Sequence, residues 1–265
     1  MTSRLGSRLA DTTVVILGAA GNLGPLWVST ALDEGAHVVA CGLGVNADAD
    51  LLALLESTSR LRLVECDITD SSLHAFDSIV EALDGSKIQG MVLSAGIDSI
   101  PGTGKQALTE YSPEEWSRVF QVNVFGVVNF LNKMIPHLAS PSSVVTLGSL
   151  YGIVSPKPAL YSHYFEGAGS IKHPAYGASK AALLALTKQY GTHLAPAGIR
   201  VNMLTLGGVA AGQDTDFVSK FENHVPQGHM IAKEELAGSL VYLLSSDSAS
   251  MTAHNMVVDG GFTSW

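Results

Sequence analysis

The sequence predicts an α/β protein, a doubly wound parallel sheet of about seven strands with helices on both faces. Three observations predict it. Apolar β-branched runs alternate with helix-length amphipathic stretches along the 265 residues. The first run, TVVIL, is apolar throughout after its opening residue, as a strand buried on both faces is. No linker, low-complexity segment or repeat beyond the strand–helix unit interrupts the alternation, so residues 1–265 read as one domain of right-handed crossovers.

The elements follow in order. Residues 13–17 read as a strand and 23–34 as a helix that Gly35 ends. Residues 37–41 form a second strand, 51–57 a helix, 61–66 a third strand and 73–83 a helix. A fourth strand spans 90–94. Residues 113–138 read as one long helix: Ser112 caps its first N–H groups, Pro113 suits the first turn, and Glu115 completes a capping box. A strand at 143–147, a helix at 175–194, a strand at 200–204, a helix at 233–244 and a short strand at 255–258 complete the chain.

Composition excludes several classes. Lys and Arg number 15 against 24 Asp and Glu, a net charge of −9 with no basic cluster, which argues against a nucleic-acid partner. Cys41 and Cys66 form no CxxC and are too few for a disulfide scaffold; buried thiols in a reducing compartment are expected. The 9 His residues show no metal-ligand spacing, so no metal is expected. Arg4 and Arg8 precede no apolar leader, and no apolar run reaches the roughly 18 residues of a membrane span. A cytoplasmic protein with neither a membrane nor a nucleic-acid partner is the expectation.

Strand one runs into Gly18-Ala-Ala-Gly21-Asn22-Leu23-Gly24 and then a helix. Such a turn brings backbone close to a pyrophosphate near Gly21, packs the helix at Gly24, and aims free N–H groups at phosphate. Asp67, after strand three, is placed to accept from an adenine amino group, with Ile68 flanking the ring; an N-cap role for Asp67 or Thr69 is equally open. After strand two stands Cys41-Gly-Leu-Gly44, with neither the carboxylate that a 2′-hydroxyl favours nor a cation for a 2′-phosphate. No Lys or Arg occurs between Leu9 and Ser59, whereas Asp48 or Asp50 is within reach of a ribose, so NAD is favoured over NADP.

Tyr176 and Lys180 stand four apart at a helix start and share a face. An ammonium about 4 Å from a phenol is worth roughly 4 kcal/mol at a dielectric near 20. That lowers the phenol pKa by up to about 3 units, with desolvation opposing, towards proton transfer near neutrality.

These motifs, in this order, resemble the short-chain dehydrogenase/reductase family and its Rossmann-type fold. The glycine turn, Asp67, Ser94-Ala95-Gly96, Asn123, Gly148-Ser149, Tyr176 with Lys180, Arg200-Val-Asn202 and Val258-Asp259-Gly260-Gly261 carry the likeness over nearly the whole chain. The resemblance implies a nicotinamide-dependent oxidoreductase interconverting a secondary alcohol and a ketone. Tyr176 would transfer the proton, Lys180 would assist it and hold the nicotinamide ribose, Ser149 would bind the substrate oxygen, and Asn123 would hold a water. Gly207 and Val209 would contact the nicotinamide. Homodimers or homotetramers are usual in the family.

The match has departures. The glycine spacing resembles that of nucleotide-sugar epimerases, which keeps an epimerase with tightly bound NAD, or a non-catalytic nucleotide sensor, as alternatives. Leu206-Gly207 replaces the usual Pro-Gly, and a threonine common soon after is absent. Residues 154–174 form a long insertion, with Pro156, Pro158, Tyr161, His163, Tyr164, Phe165, Lys172 and His173, expected to wall the substrate pocket; its length resembles relatives acting on sugars or polyols. Residues 210–230 are expected to form a lid.

Overall fold

The computed structural model describes residues 7–70, 74–98, 108, 110–164 and 173–265. The expected helix start at Leu73, residues 165–172 of the insertion with Phe165 and Lys172, and Arg4 lie outside the described residues.

Seven parallel strands form one sheet in the order β3-β2-β1-β4-β5-β6-β7. They are β1 Thr13–Leu17, β2 His37–Gly42, β3 Leu61–Glu65, β4 Ile88–Leu93, β5 Leu138–Ser149, β6 Ile199–Leu206 and β7 Asn255–Val258. The order reverses between β1 and β4, and a crevice opens at their carboxyl ends, where open α/β sheets bind ligands. Every residue of β1 is buried. Its alternation sends Val14 and Ile16 into one core with Trp27 and Leu240, and Val15 and Leu17 into the other with Phe130 and Leu183. Both faces are therefore covered, as the sequence pattern requires.

Helix α1 (Gly24–Asp33) carries proline in its first turn, and the chain leaves it through Gly35 at φ +92°. Helices α2 (Ala49–Ser57) and α3 (His74–Ala82) follow β2 and β3. The expected long helix runs without a gap over 113–137, but it is not α-helical throughout. It divides into α4 (Pro113–Phe120), a π-helical stretch (Gln121–Gly126), α5 (Val127–Met134) and a 3-10 turn (Ile135–His137). Pro136 removes a backbone donor, and β5 already begins at Leu138. The predicted Ser112–Glu115 capping box is present, with bonds of 3.2 and 2.7 Å.

Helix α6 (Pro158–Tyr161) lies within the insertion; α7 (Pro174–Leu194) follows it. Helix α8 (Thr215–Glu222) occupies the expected lid, and α9 (Ala237–Leu244) is entered through a 3-10 turn at Lys233–Leu236. A third core joins the insertion to the lid: Leu160 and Tyr161 pack with Phe217, Phe221, Met230 and Phe262. Cys41 and Cys66 are free and buried, as expected. Burial raises both thiols, Cys66 to about 11. Among the described residues no helix is long and apolar enough to cross a membrane, and no group of His, Cys, Asp and Glu is arranged to hold a metal.

Candidate active site

A cavity of about 750 Å³ lies over the switch point. Gly18, Gly21, Asn22 and Leu23 line it, as do Asp67, Ile68, Ser94, Ala95 and Gly96. Ser149, Tyr176, Lys180, Gly207 and Val209 line it too. Two expected site residues do not. Gly24 sits beneath the turn, where a Cβ would overlap the Ala19 carbonyl, so its part is packing. Asn123 lies behind the cavity wall, fully buried.

The turn is built for close approach. Gly18 has φ +82°, and a Cβ there would stand 2.6 Å from the Ala95 nitrogen. Its N–H donates to the Cys41 carbonyl at 2.8 Å, which ties the turn to β2. No side-chain bond caps α1; the Gly24 N–H donates to the Gly21 carbonyl at 2.9 Å and Pro25 has no N–H, so fewer helix N–H groups are open to a phosphate here than the turn motif alone suggests. The Asp67 carboxylate accepts from the Thr69 N–H and hydroxyl at 2.8 and 2.7 Å, both through Oδ1.

The ribose reading of Asp48 and Asp50 is corrected. Asp48 caps α2 by accepting from the Leu51 N–H at 2.9 Å, and neither residue lines the cavity. The carboxylate held against this loop is that of Glu65, which accepts from the Gly44 N–H at 2.6 Å. Arg60 donates to the Leu32 and Ala36 carbonyls and Arg62 pairs with Asp84, so both guanidiniums are committed elsewhere. Leu43 stands 61% exposed at the cavity edge.

Ser149 ends β5 beside Leu206 of β6, and its Oγ accepts from the Tyr151 N–H at 3.2 Å. Lys180 is buried; its Nζ donates to the Leu147 carbonyl at 2.9 Å and lies 5.9 Å from the Tyr176 ring centre. Burial lowers the Lys180 pKa, and Tyr176 opposes that by a smaller amount. A Cβ on Gly96 would stand 3.3 Å from both Lys180 Nζ and Asn123 Oδ1, so glycine lets these side chains approach β4's exit. Asn123 lies in the π-helical stretch, a deviation common at functional sites. It accepts from the Ile97 N–H at 2.8 Å and donates to the Ile97 carbonyl at 2.8 Å and Ser179 Oγ at 2.9 Å.

Motif reading missed Leu43, Asp98, Arg118, Tyr151, Gln213, Phe217, Phe221 and Met230, all of which line the cavity. Phe217 and Phe221, four apart in an otherwise polar segment, were the available signal.

A switch-point crevice with a glycine turn, and a hydroxyl, a phenol and an amine beside it, defines a nucleotide-dependent oxidoreductase. Comparison agrees: the family model described as Enoyl-(Acyl carrier protein) reductase matches residues 18–263. The cis-4-hydroxycyclohexanecarboxylate dehydrogenase of Sinomonas cyclohexanicum is 26% identical, over 98% of this chain and 99% of its own. The 3-alpha-(or 20-beta)-hydroxysteroid dehydrogenase of Mycobacterium tuberculosis is 29% identical, over 97% and 91%. A short-chain dehydrogenase from Leptospira borgpetersenii with bound NAD+ superposes with a TM-score of 0.81 at 25% identity, covering 96% of this chain and 94% of that one. The Pseudomonas aeruginosa RhlG/NADP active-site complex gives 0.81 at 25%, covering 98% and 99%. The chain belongs to the short-chain dehydrogenase/reductase family and is an oxidoreductase that uses NAD or NADP.

Proposed function

We propose that the protein interconverts a secondary alcohol and a ketone, with Tyr176 as the proton-transfer residue. The observation that carries this reading is the convergence of Ser149, Tyr176 and Lys180 on the cavity that the glycine turn also lines. Gly18, Gly21, Asn22 and Leu23 hold the pyrophosphate of the dinucleotide. Ser94, Ala95 and Gly96 support its ribose side, and Gly207 and Val209 support the nicotinamide. Asp67 Oδ2, which bears neither of the Thr69 bonds, meets the adenine amino group, and Ile68 packs on the ring. When bound, the nicotinamide supplies hydride chemistry.

Ser149 turns its hydroxyl to the substrate oxygen and orients it. Tyr176 takes or gives that oxygen's proton. Lys180, the buried amine next to it, favours the ionised phenol and holds the nicotinamide ribose. Asn123 supports Lys180 from behind through the β4 exit. The rate advantage rests mainly on positioning. NAD is the preferred cofactor, because Arg60 and Arg62, the guanidiniums that follow the β2 exit in sequence, are committed elsewhere and no lysine lies near it in sequence. Residues 1–265 act as one cytoplasmic unit, with residues 154–163 and 210–230 at the substrate end. Trp265, 75% exposed, and Phe125, 55% exposed, are surfaces a homodimer or homotetramer would cover.

The test is Tyr176→Phe. Turnover of a ketone panel with NADH and NADPH should fall by about three orders of magnitude or more, roughly what a lost acid–base group costs. The dissociation constant for NADH, read by fluorescence, should stay within about twofold. Wild-type protein that binds NADH but turns over nothing would favour a sensor, and turnover without net change in free cofactor would favour an epimerase.

A further inference from the structure

The cavity holds a second pair of phenols outside the Ser149–Tyr176–Lys180 set. The Tyr151 and Tyr161 hydroxyls lie 2.6 Å apart, and both residues line the cavity. They come from different segments. Tyr151 follows β5 in the 3-10 turn Leu150–Gly152. Its N–H donates to Ser149 Oγ, and α7 packs so closely that a Cβ on Gly177 would stand 2.6 Å from the Tyr151 carbonyl oxygen. Tyr161 ends α6 in the insertion, 7% exposed, with its ring centre 5.5 Å from that of Phe217 on α8. One phenol is thus fixed to the turn that carries Ser149, and the other to the aromatic wall.

That wall is apolar: Leu150, Phe217, Phe221 and Met230 face the same cavity. Gln213 is spent locally, accepting from the Ala211 N–H and donating to the Val209 carbonyl. A polyol would lose hydration of several hydroxyls there for few partners, which is costly, whereas an apolar ring loses little. A phenol offers one donor and two acceptor sites, so the pair suits one oxygen of a substrate. Burial foremost, then Tyr151, raises the Tyr161 phenol far above its ordinary value. It therefore stays protonated and recognises hydrogen bonds without exchanging protons.

We propose that Tyr161, held by Tyr151, is a specificity-determining residue, and that the substrate is a mainly apolar secondary alcohol or ketone with one further hydroxyl, which this pair of phenols meets. The proposal rests on the oxidoreductase reading above and revises the sugar or polyol class that the insertion's length suggested.

The test measures kcat and KM for 4-hydroxycyclohexanone, 4-methylcyclohexanone of nearly the same size, and D-fructose, with NADH and NADPH. Wild type should prefer the hydroxy ketone to the methyl ketone by roughly three- to tenfold in kcat/KM, the worth of one neutral hydrogen bond. Tyr161→Phe keeps the ring against Phe217 and should erase that preference by raising KM for the hydroxy ketone. Tyr151→Phe, which removes the bond from the other side, should do the same. A ratio unmoved in both variants, a fall in kcat shared by both cyclohexanones, or a wild-type preference for D-fructose overturns the proposal. A wild type that reduces none of the three overturns this proposal alone; the alcohol–ketone reading fails separately, if Tyr176→Phe and wild type do not differ on any ketone of the wider panel.

Discussion

Replacing Asn123 by alanine tests what that residue does. The side chain is fully buried and makes three bonds, two to the backbone of Ile97 and one to Ser179 Oγ. Both of its N–H donors are used, and so is one of the two acceptor sites on Oδ1. A water bound to Asn123 would have only the remaining acceptor site. Each bond is worth about 1 kcal/mol net, so alanine should cost about 3 kcal/mol, more where the Ile97 groups stay dry. For a chain of this size, roughly 2–4 °C per kcal/mol gives a melting temperature about 6–12 °C lower. Asn123→Asp should be at least as damaging near neutral pH, since a carboxylate would face the Ile97 carbonyl it now donates to. The assay is thermal unfolding followed by circular dichroism, with kcat measured well below the transition. Unchanged melting with a lowered kcat would refute this reasoning and favour the water relay that the family resemblance implied.

Three further perturbations follow from the site. Lys180 is buried with its pKa lowered from 10.5, so between its folded value and 10.5 the unfolded chain binds the extra proton and stability rises with pH. Lys180→Met should therefore abolish turnover yet melt higher at pH 7, with the gain shrinking towards pH 10.5; a lower melting temperature at pH 7 would contradict the sign. Leu43→Arg places a cation at the β2 exit and should raise the NADP/NAD ratio of kcat/KM by about tenfold or more, the worth of a charged hydrogen bond; an unmoved ratio would show that the 2′-group lies elsewhere. Asp214 caps α8 by accepting from the Phe217 N–H at 2.9 Å and stands 2.9 Å from His163 Nε2. The Phe217 N–H foremost holds its carboxyl below the ordinary 3.8, so its contribution is present above that pH and fades as pH falls through the folded value. Asp214→Ala should speed limited proteolysis within 210–230 and raise KM for substrate, and equal cleavage rates would count against the latch.

The chemical end of the site was legible because sheet register places it. Gly18, Ser94, Ser149 and Gly207 each lie at or just past a strand's carboxyl end, and parallel pairing brings those ends to one level. The Ser94 N–H donates to the Leu17 carbonyl at 2.9 Å, and Ser149 pairs with Leu206. Tyr176 and Lys180 needed only helical spacing. What escaped the sequence depends on contacts that no local spacing encodes. The π-helical stretch changes the hydrogen-bond pattern around Asn123 inside the expected helix, a change that residue spacing does not announce. Asp48 looked available to a ribose because its duty as a cap appears only once α2 starts at Ala49.

The substrate wall is the furthest case. Tyr161 and Phe217 lie on two short helices more than fifty positions apart. These segments are held together by their own contacts, with His163 meeting Asp214 at 2.9 Å and Lys220 at 3.0 Å. The Lys220 ammonium has no lone pair, so His163 Nδ1 accepts from it. The contact between insertion and lid depends on side chains of distant segments meeting, whereas the placement of the candidate site residues depends on the backbone ladder. That difference separates what strand spacing can reveal about this protein from what only the assembled chain shows.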